Sequence, residues 1–182
     1  MRIGNFRIIF PWTRGDRGGL PWLALSALII ALDQATKLWI VVSFELFERI
    51  AVLPFLDIVR LHNRGAAFSF LAGAGGWQVG FFLLLGLAIT AVLVGWLRKL
   101  PEGEQRWLAA SLALIIGGAL GNVIDRAVHG HVVDFVYLHY QGWYFPAFNV
   151  ADSAITIGAA MLIWDGLREW LRERSERAAA DD

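Results

Sequence analysis

Four apolar stretches, each long enough to cross a bilayer and marked off by tryptophans, leave few folds open to this chain. They run over about residues 20–42, 77–97, 107–124 and 149–167. At 1.5 Å per helical residue, roughly 20 residues cross a hydrocarbon core about 30 Å thick. Trp22 and Trp39 flank the first stretch, and Trp77 and Trp96 the second. Trp107 opens the third, and Trp164 and Trp170 stand near the end of the fourth. These are positions for interfacial anchors. Backbone in lipid must satisfy its own hydrogen bonds, and stretches of this length do so as helices. The expectation is an α-helical membrane protein with four transmembrane helices. Hydrophobic residues make up 57% of the 182, above the roughly 45–50% of soluble domains, and the length suits a single membrane-embedded domain over 1–182.

The intervening segments have a different character. Residues 43–75 contain β-branched and aromatic residues in short alternations, as in Asp57-Ile58-Val59-Arg60-Leu61-His62, broken by Pro54 and several glycines. That pattern predicts short strands and turns, hence a small extracytoplasmic β-sheet region. Asn63-Arg64-Gly65 reads as a turn that returns Ala66-Ala67-Phe68 towards the membrane. The connection 125–148 lies on the same side. Residues 1–20 read as a basic arm. A cleavable signal peptide fits them badly, because the apolar run that follows is too long and no A-x-A site closes it. The tail after the fourth stretch reads as a frayed helical end.

Four spans put both termini on one side, and the distribution of basic residues chooses which. Arg2, Arg7, Arg14, Arg17, Arg98, Lys99, Arg106, Arg168, Arg172, Arg174 and Arg177 lie on the side of the termini. Arg49, Arg60, Arg64 and Arg126 lie on the other. This predicts cytoplasmic N and C termini. The formal net charge is zero, so no global field draws nucleic acid, and no nucleic-acid partner is expected. The absence of cysteine excludes disulfides, thiolate nucleophiles and Cys-based zinc sites.

Ionisable residues next to apolar spans are costly and count as functional candidates. Asp125, Asp134 and Asp152 fall between Gly117 and Gly158, with Asn122 and Asn149 three residues ahead of two of them. Asn122 and Asp125 share a helical face. Arg126 either snorkels to headgroups or meets substrate. His131–Leu138 reads as extended, which puts Asp134 on one face with Val132, Val136 and Leu138. Burial there raises a carboxyl pKa, and a functional reading fits better than a bland one, because Asp is disfavoured in strands. Asn149 and Asp152 suit an N-cap and the first turn of a helix, which alone would explain both. Yet Asp152 then lies at the membrane level of Asp134. Two carboxylates at one apolar site share a proton, one acting as base and the other as acid on an attacking water. Asp33 and Lys37, at i and i+4, either neutralise each other or support a nearby polar site.

Three other readings use the same residues. His129, His131, Asp134 and His139 could ligate zinc, but no H-E-x-x-H occurs and nothing supplies a separate base. A proton-coupled transporter could use the carboxylates as a relay, although internal repeats are missing. A small scaffold could use its acids merely as helix caps. There is no G-x-S-x-G nucleophile elbow and no glycine-rich phosphate loop.

Five short stretches in order resemble the lipoprotein signal peptidases of bacteria (signal peptidase II). They are Asp33-Gln34-x-x-Lys37, Asn63-x-Gly65-Ala66-Ala67-Phe68-Ser69, Gly121-Asn122-x-x-Asp125-Arg126, Val132-Val133-Asp134-Phe135 and Phe148-Asn149-x-Ala151-Asp152. The resemblance runs from Asp33 to about Gly158, in the same four-span order. It implies a membrane aspartyl endopeptidase that removes the signal peptide of prolipoproteins, cutting just before a diacylglyceryl-modified cysteine. It further implies Asp134 and Asp152 as the catalytic pair, with Asn63, Asn122, Arg126 and Asn149 binding substrate or ordering the site. Asp33, Lys37 and Asp125 would support that site. No metal or other cofactor is implied. The implied partners are lipidated precursors, membrane lipids and globomycin-type inhibitors. The implied location is the bacterial inner membrane, with the site towards the periplasm.

Overall fold

The computed structural model describes residues 18–65, 75–101 and 105–180. Among these, four helices are long and apolar enough to cross a membrane. A 3-10 turn over Leu20–Trp22 leads into α1 (Leu23–Ser43). Strands β1 (Arg49–Leu53) and β2 (Leu56–Asn63) follow, then α2 (Trp77–Leu97) and α3 (Arg106–His129). Strands β3 (Val132–Tyr140) and β4 (Trp143–Tyr144) precede α4 (Val150–Ala180). The expected basic arm lies almost wholly outside the described residues, as does the return through Ala66-Ala67-Phe68.

Helix α3 is the central element. Its apolar window is 61% buried, whereas that of α2 is not buried at all. Small residues bring neighbouring backbones close to α3, as packing in lipid favours. A Cβ on Gly117 would stand 2.9 Å from the Ser26 carbonyl oxygen of α1. One on Gly158 of α4 would stand 2.7 Å from the Ser111 carbonyl oxygen. Ser26 Oγ donates to the Ala113 carbonyl at 2.8 Å, tying α1 to α3. Leu97, Leu100, Leu108, Leu112 and Ile116 form a buried cluster between α2 and α3. By contrast, Leu84, Val92 and Ile163 point outward, as lipid-facing residues do.

The polar segments meet in one antiparallel sheet of order β1-β2-β3-β4. The sequence reading put a sheet at 43–75 and an extended strand near 131–138. These prove to be parts of the same sheet, with Leu61 opposite Asp134 and Asn63 opposite Val132. The expected alternation along β3 is broken after Asp134. Phe135 and Val136 both donate their N–H to the Phe148 carbonyl, at 3.0 and 2.8 Å. Two consecutive donors on one acceptor kink the strand as a bulge does, and residues 132–135 are all buried. Val133 and Phe135 pack on Ile40 and Phe44, which seats the sheet on the end of α1.

Two helices outlast the stretches read from hydropathy. Helix α3 continues past Ile124 to His129 and stops at Gly130, whose φ of 71° is the left-handed cap that glycine supplies. Helix α4 continues past Leu167 to Ala180, its last turns carrying Arg172–Glu176 and Arg177–Glu173 pairs. Such i, i+4 pairs support an exposed helix, and the tail is helical, as expected, through Ala180.

Candidate active site

Three elements form the centre of the site. Helix α3 supplies Asn122, Asp125 and Arg126, β3 supplies Asp134, and the start of α4 supplies Asp152. Asn149 sits at the junction. Its Oδ1 accepts the Asp152 N–H at 2.9 Å, and its own N–H donates to Asp152 Oδ2 at 3.3 Å. This is the reciprocal cap expected of Asn three residues before an acid. The side-chain amide reaches the other way, donating to Asp134 Oδ1 at 2.7 Å. Fully buried Asn149 therefore holds both carboxylates.

Each carboxylate has a second amide. Asn63 Nδ2 donates to Asp134 Oδ2 at 3.0 Å, and Asn122 Nδ2 donates to Asp152 Oδ1 at 2.7 Å. Burial, then the charge of Asp152, pushes the Asp134 carboxyl up to about 7, against the pull of Asn63, Asn149 and Lys37. Asn63 Oδ1 also accepts the Gly65 N–H at 2.9 Å, which makes the turn expected at Asn63-Arg64-Gly65.

Below this layer lies a buried charge cluster. Lys37 Nζ stands 2.8 Å from Asp33 Oδ2, 3.0 Å from Asp125 Oδ2 and 3.1 Å from Asn122 Oδ1. Asp33 Oδ1 accepts the Ala151 N–H at 2.9 Å, and Asp125 Oδ2 accepts the Val133 N–H at 3.1 Å. Each acid thus grips the backbone next to one candidate catalytic residue. The i, i+4 pair expected of Asp33 and Lys37 is present, and Asp125 and Asn122 of α3 extend it into a cluster beneath Asp134 and Asp152. A pair at i, i+4 cannot reveal that a third group from another helix completes it.

Arg126 does not reach out towards headgroups. It is half-buried, donates to the Gly65 carbonyl at 2.8 Å and packs over the Phe82 ring at 5.3 Å. A cavity of about 660 Å³ opens where these groups meet. Asn63, Asn122, Arg126, Asp134 and Asp152 give it a polar wall. Phe145, Phe148 and Ile155 are among its apolar lining.

Residues 25–168 match the family model for signal peptidase (SPase) II. The chain belongs to the signal peptidase II family. It is 53% identical over 153 residues to a lipoprotein signal peptidase of Pseudomonas fluorescens (strain Pf0-1), covering 83% of this chain and 89% of that one. A lipoprotein signal peptidase of Burkholderia ambifaria is 52% identical over 148 residues, covering 81% and 88%. A solved bacterial membrane enzyme at 31% identity superposes with a TM-score of 0.75, covering 86% of this chain and 94% of that one.

The nine residues expected as carboxylate pair, ordering groups and supporting groups lie in this one constellation. The proposed zinc ligands of the alternative reading do not converge. His139 Nε2 lies 3.1 Å from Asp57, and His131 stacks on His62. Among the described residues, no group of three or more His, Cys, Asp or Glu has metal-holding geometry. Sequence reasoning gave no role to Gln34, whose Nε2 donates to Asp125 Oδ1 at 2.9 Å and contacts Asp33 and the Gly121 carbonyl. Its signal was its place beside Asp33 in an otherwise apolar helix. It also passed over the cavity lining on α4, Ser153 and Thr156, for which a single sequence offers no cue.

Proposed function

We propose that this member of the signal peptidase II family is a membrane aspartyl endopeptidase. It removes signal peptides from prolipoproteins by cutting N-terminal to the diacylglyceryl-modified cysteine. The supporting observation is that Asp134 and Asp152 line one cavity and are both bonded to Asn149. The pair shares one proton. Asp134, whose carboxyl is raised to about 7, carries it and donates it to the scissile carbonyl oxygen. Asp152 takes a proton from the attacking water, and the roles reverse as the amine leaves. The names of the relatives and the apolar lining both favour a lipidated peptide.

Asn63, Asn122 and Asn149 order the carboxylates, and Arg126 borders the substrate path. Asp33, Lys37 and Asp125 support them from within the bundle. The whole chain acts as one membrane-embedded domain in the bacterial inner membrane. Both termini are cytoplasmic, the site lies towards the periplasm, and surrounding lipids contact α2. Globomycin-type inhibitors would occupy the same cavity.

The test replaces each aspartate with asparagine and follows cleavage of a diacylglyceryl-modified precursor in detergent–lipid micelles. Asp134→Asn and Asp152→Asn are each expected to lower kcat by about 1,000-fold or more. Near-native turnover by either variant rejects the dyad.

A further inference from the structure

His62, one rung from the end of the β2–β3 ladder, and His131, just before β3, carry imidazoles that the site itself does not use. His62 lies opposite Val133, and Asn63 opposite Val132. The rings of His62 and His131 stack with centroids 3.7 Å apart and planes at 24°. His129 lies beside them, 5.9 Å from His131. Strand β2 ends at Asn63, and the ends of ladders are where pairing opens first. Successive strand residues point to opposite faces, so the stack backs the rung whose front carries the Asn63 amide. That amide donates to Asp134 Oδ2 at 3.0 Å.

We propose that His62 and His131 are a positioning pair: their stack holds the Asn63 amide against Asp134, and does so only while both rings are neutral. The proposal rests on the aspartyl-peptidase reading above. The surroundings oppose a charge on either ring. His62 Nε2 is buried with no hydrogen-bond partner among the described residues. Burial, His131, Arg60, Arg64 and His129 together bring the His62 pKa down to about 4. Burial also lowers that of His131, with His129 and Arg64 adding to it, while the His129 backbone and Asp125 oppose the shift. The facing groups are thus Arg60 and Arg64 from β2 and its end, and His129 and Asp125 from α3. Asp134 of β3 faces the cavity. Because His62 titrates lower in the folded protein than its ordinary 6.5, the stack is stable at neutral pH. It weakens as pH falls from about 6.5 towards 4.

Variants of the full chain, assayed for cleavage of a lipidated precursor between pH 4 and 8, test this. His131→Ala is expected to lower kcat about tenfold at pH 7.5 with little change in KM, as a displaced positioning group does. His131→Phe keeps an aromatic face and is expected to recover most of that loss. Its rate should also fall less than that of the parent as pH drops below 6.5 towards 4. In an Asn63→Ala background, measured by single turnover, His131→Ala should cost less than about twofold, because the amide it positions is gone. An undiminished cost in that background, or a parental pH profile for His131→Phe, overturns the proposal. Should His131→Ala fail to fold, the His131→Phe profile still decides. Full activity of Asp134→Asn would instead reject the peptidase reading. A silent His131→Ala beside an inactive Asp134→Asn rejects the stack alone.

Discussion

Asn149 donates a 2.7 Å hydrogen bond to Asp134 from its side chain while its Oδ1 caps the helix that begins one residue later. The two duties can be separated. Asn149→Ala is expected to cost about 1 kcal/mol of stability through the lost cap. It should also lower kcat about 100-fold through the lost amide. Asn149→Ser keeps a capping oxygen but has no amide. Its thermal midpoint should return close to the parent while kcat stays low. Thermal melts and steady-state cleavage on the same preparations check both halves.

The raised Asp134 carboxyl makes a signed pH prediction. Folding shifts it from 3.8 up to about 7, so between those values the folded protein binds more protons than the unfolded chain. Stability from this group is present at low pH and is lost as pH rises through about 7. Asp134→Asn removes that loss. Its thermal midpoint should exceed the parent's by more at pH 8 than at pH 5, the gap reflecting on the order of a few kcal/mol. A gap that does not change with pH rejects the shifted carboxyl. Cleavage by the parent should also decline above about pH 7, where the shared proton leaves.

The helices were legible because lipid demands length, apolarity and aromatic ends, and 77–97 matches α2 to the residue. The residues that gather around the cavity stood out in the sequence because acids and amides beside apolar spans are few. What stayed hidden was connection. Asn149 read correctly as a cap, but a cap signal says nothing about a side-chain amide reaching Asp134 on another element. Lys37 read as the partner of Asp33, yet its contact with Asp125 depends on α1 packing against α3. The kink after Asp134 depends on Phe148 arriving alongside β3, and period-two alternation contains no trace of it.

Lys37 holds two buried acids, and its removal should be costly. Lys37→Met leaves Asp33 and Asp125 facing each other with no cation, both buried. Breaking a buried pair from one side typically costs about 3–5 kcal/mol. The triple variant Lys37→Met, Asp33→Asn, Asp125→Asn is neutral and keeps one carbonyl oxygen for each backbone N–H. It should recover a large part of the lost thermal stability. Failure of the triple variant to melt above Lys37→Met would mean that the charges are not the source of the loss.

Close approach of α3 and α4 places a steric limit next to Asp152. A Cβ on Gly118 would press into the Ala151 carbonyl oxygen and lie 2.8 Å from Ile155 Cγ1. Backbone cannot rotate aside as a side chain can, so α4 must shift, and Asp152 moves with it. Gly118→Ala is therefore expected to cost about 1–3 kcal/mol and to lower kcat more than its stability loss alone explains. Gly95→Ala on α2 is the control, since nothing lies within 4 Å of the Cβ it would add. That variant should melt at or slightly above the parent, because alanine favours helix by up to about 1 kcal/mol over glycine. Equal effects of the two substitutions would show that helix propensity, rather than contact with the Ala151 carbonyl, governs the position of α4.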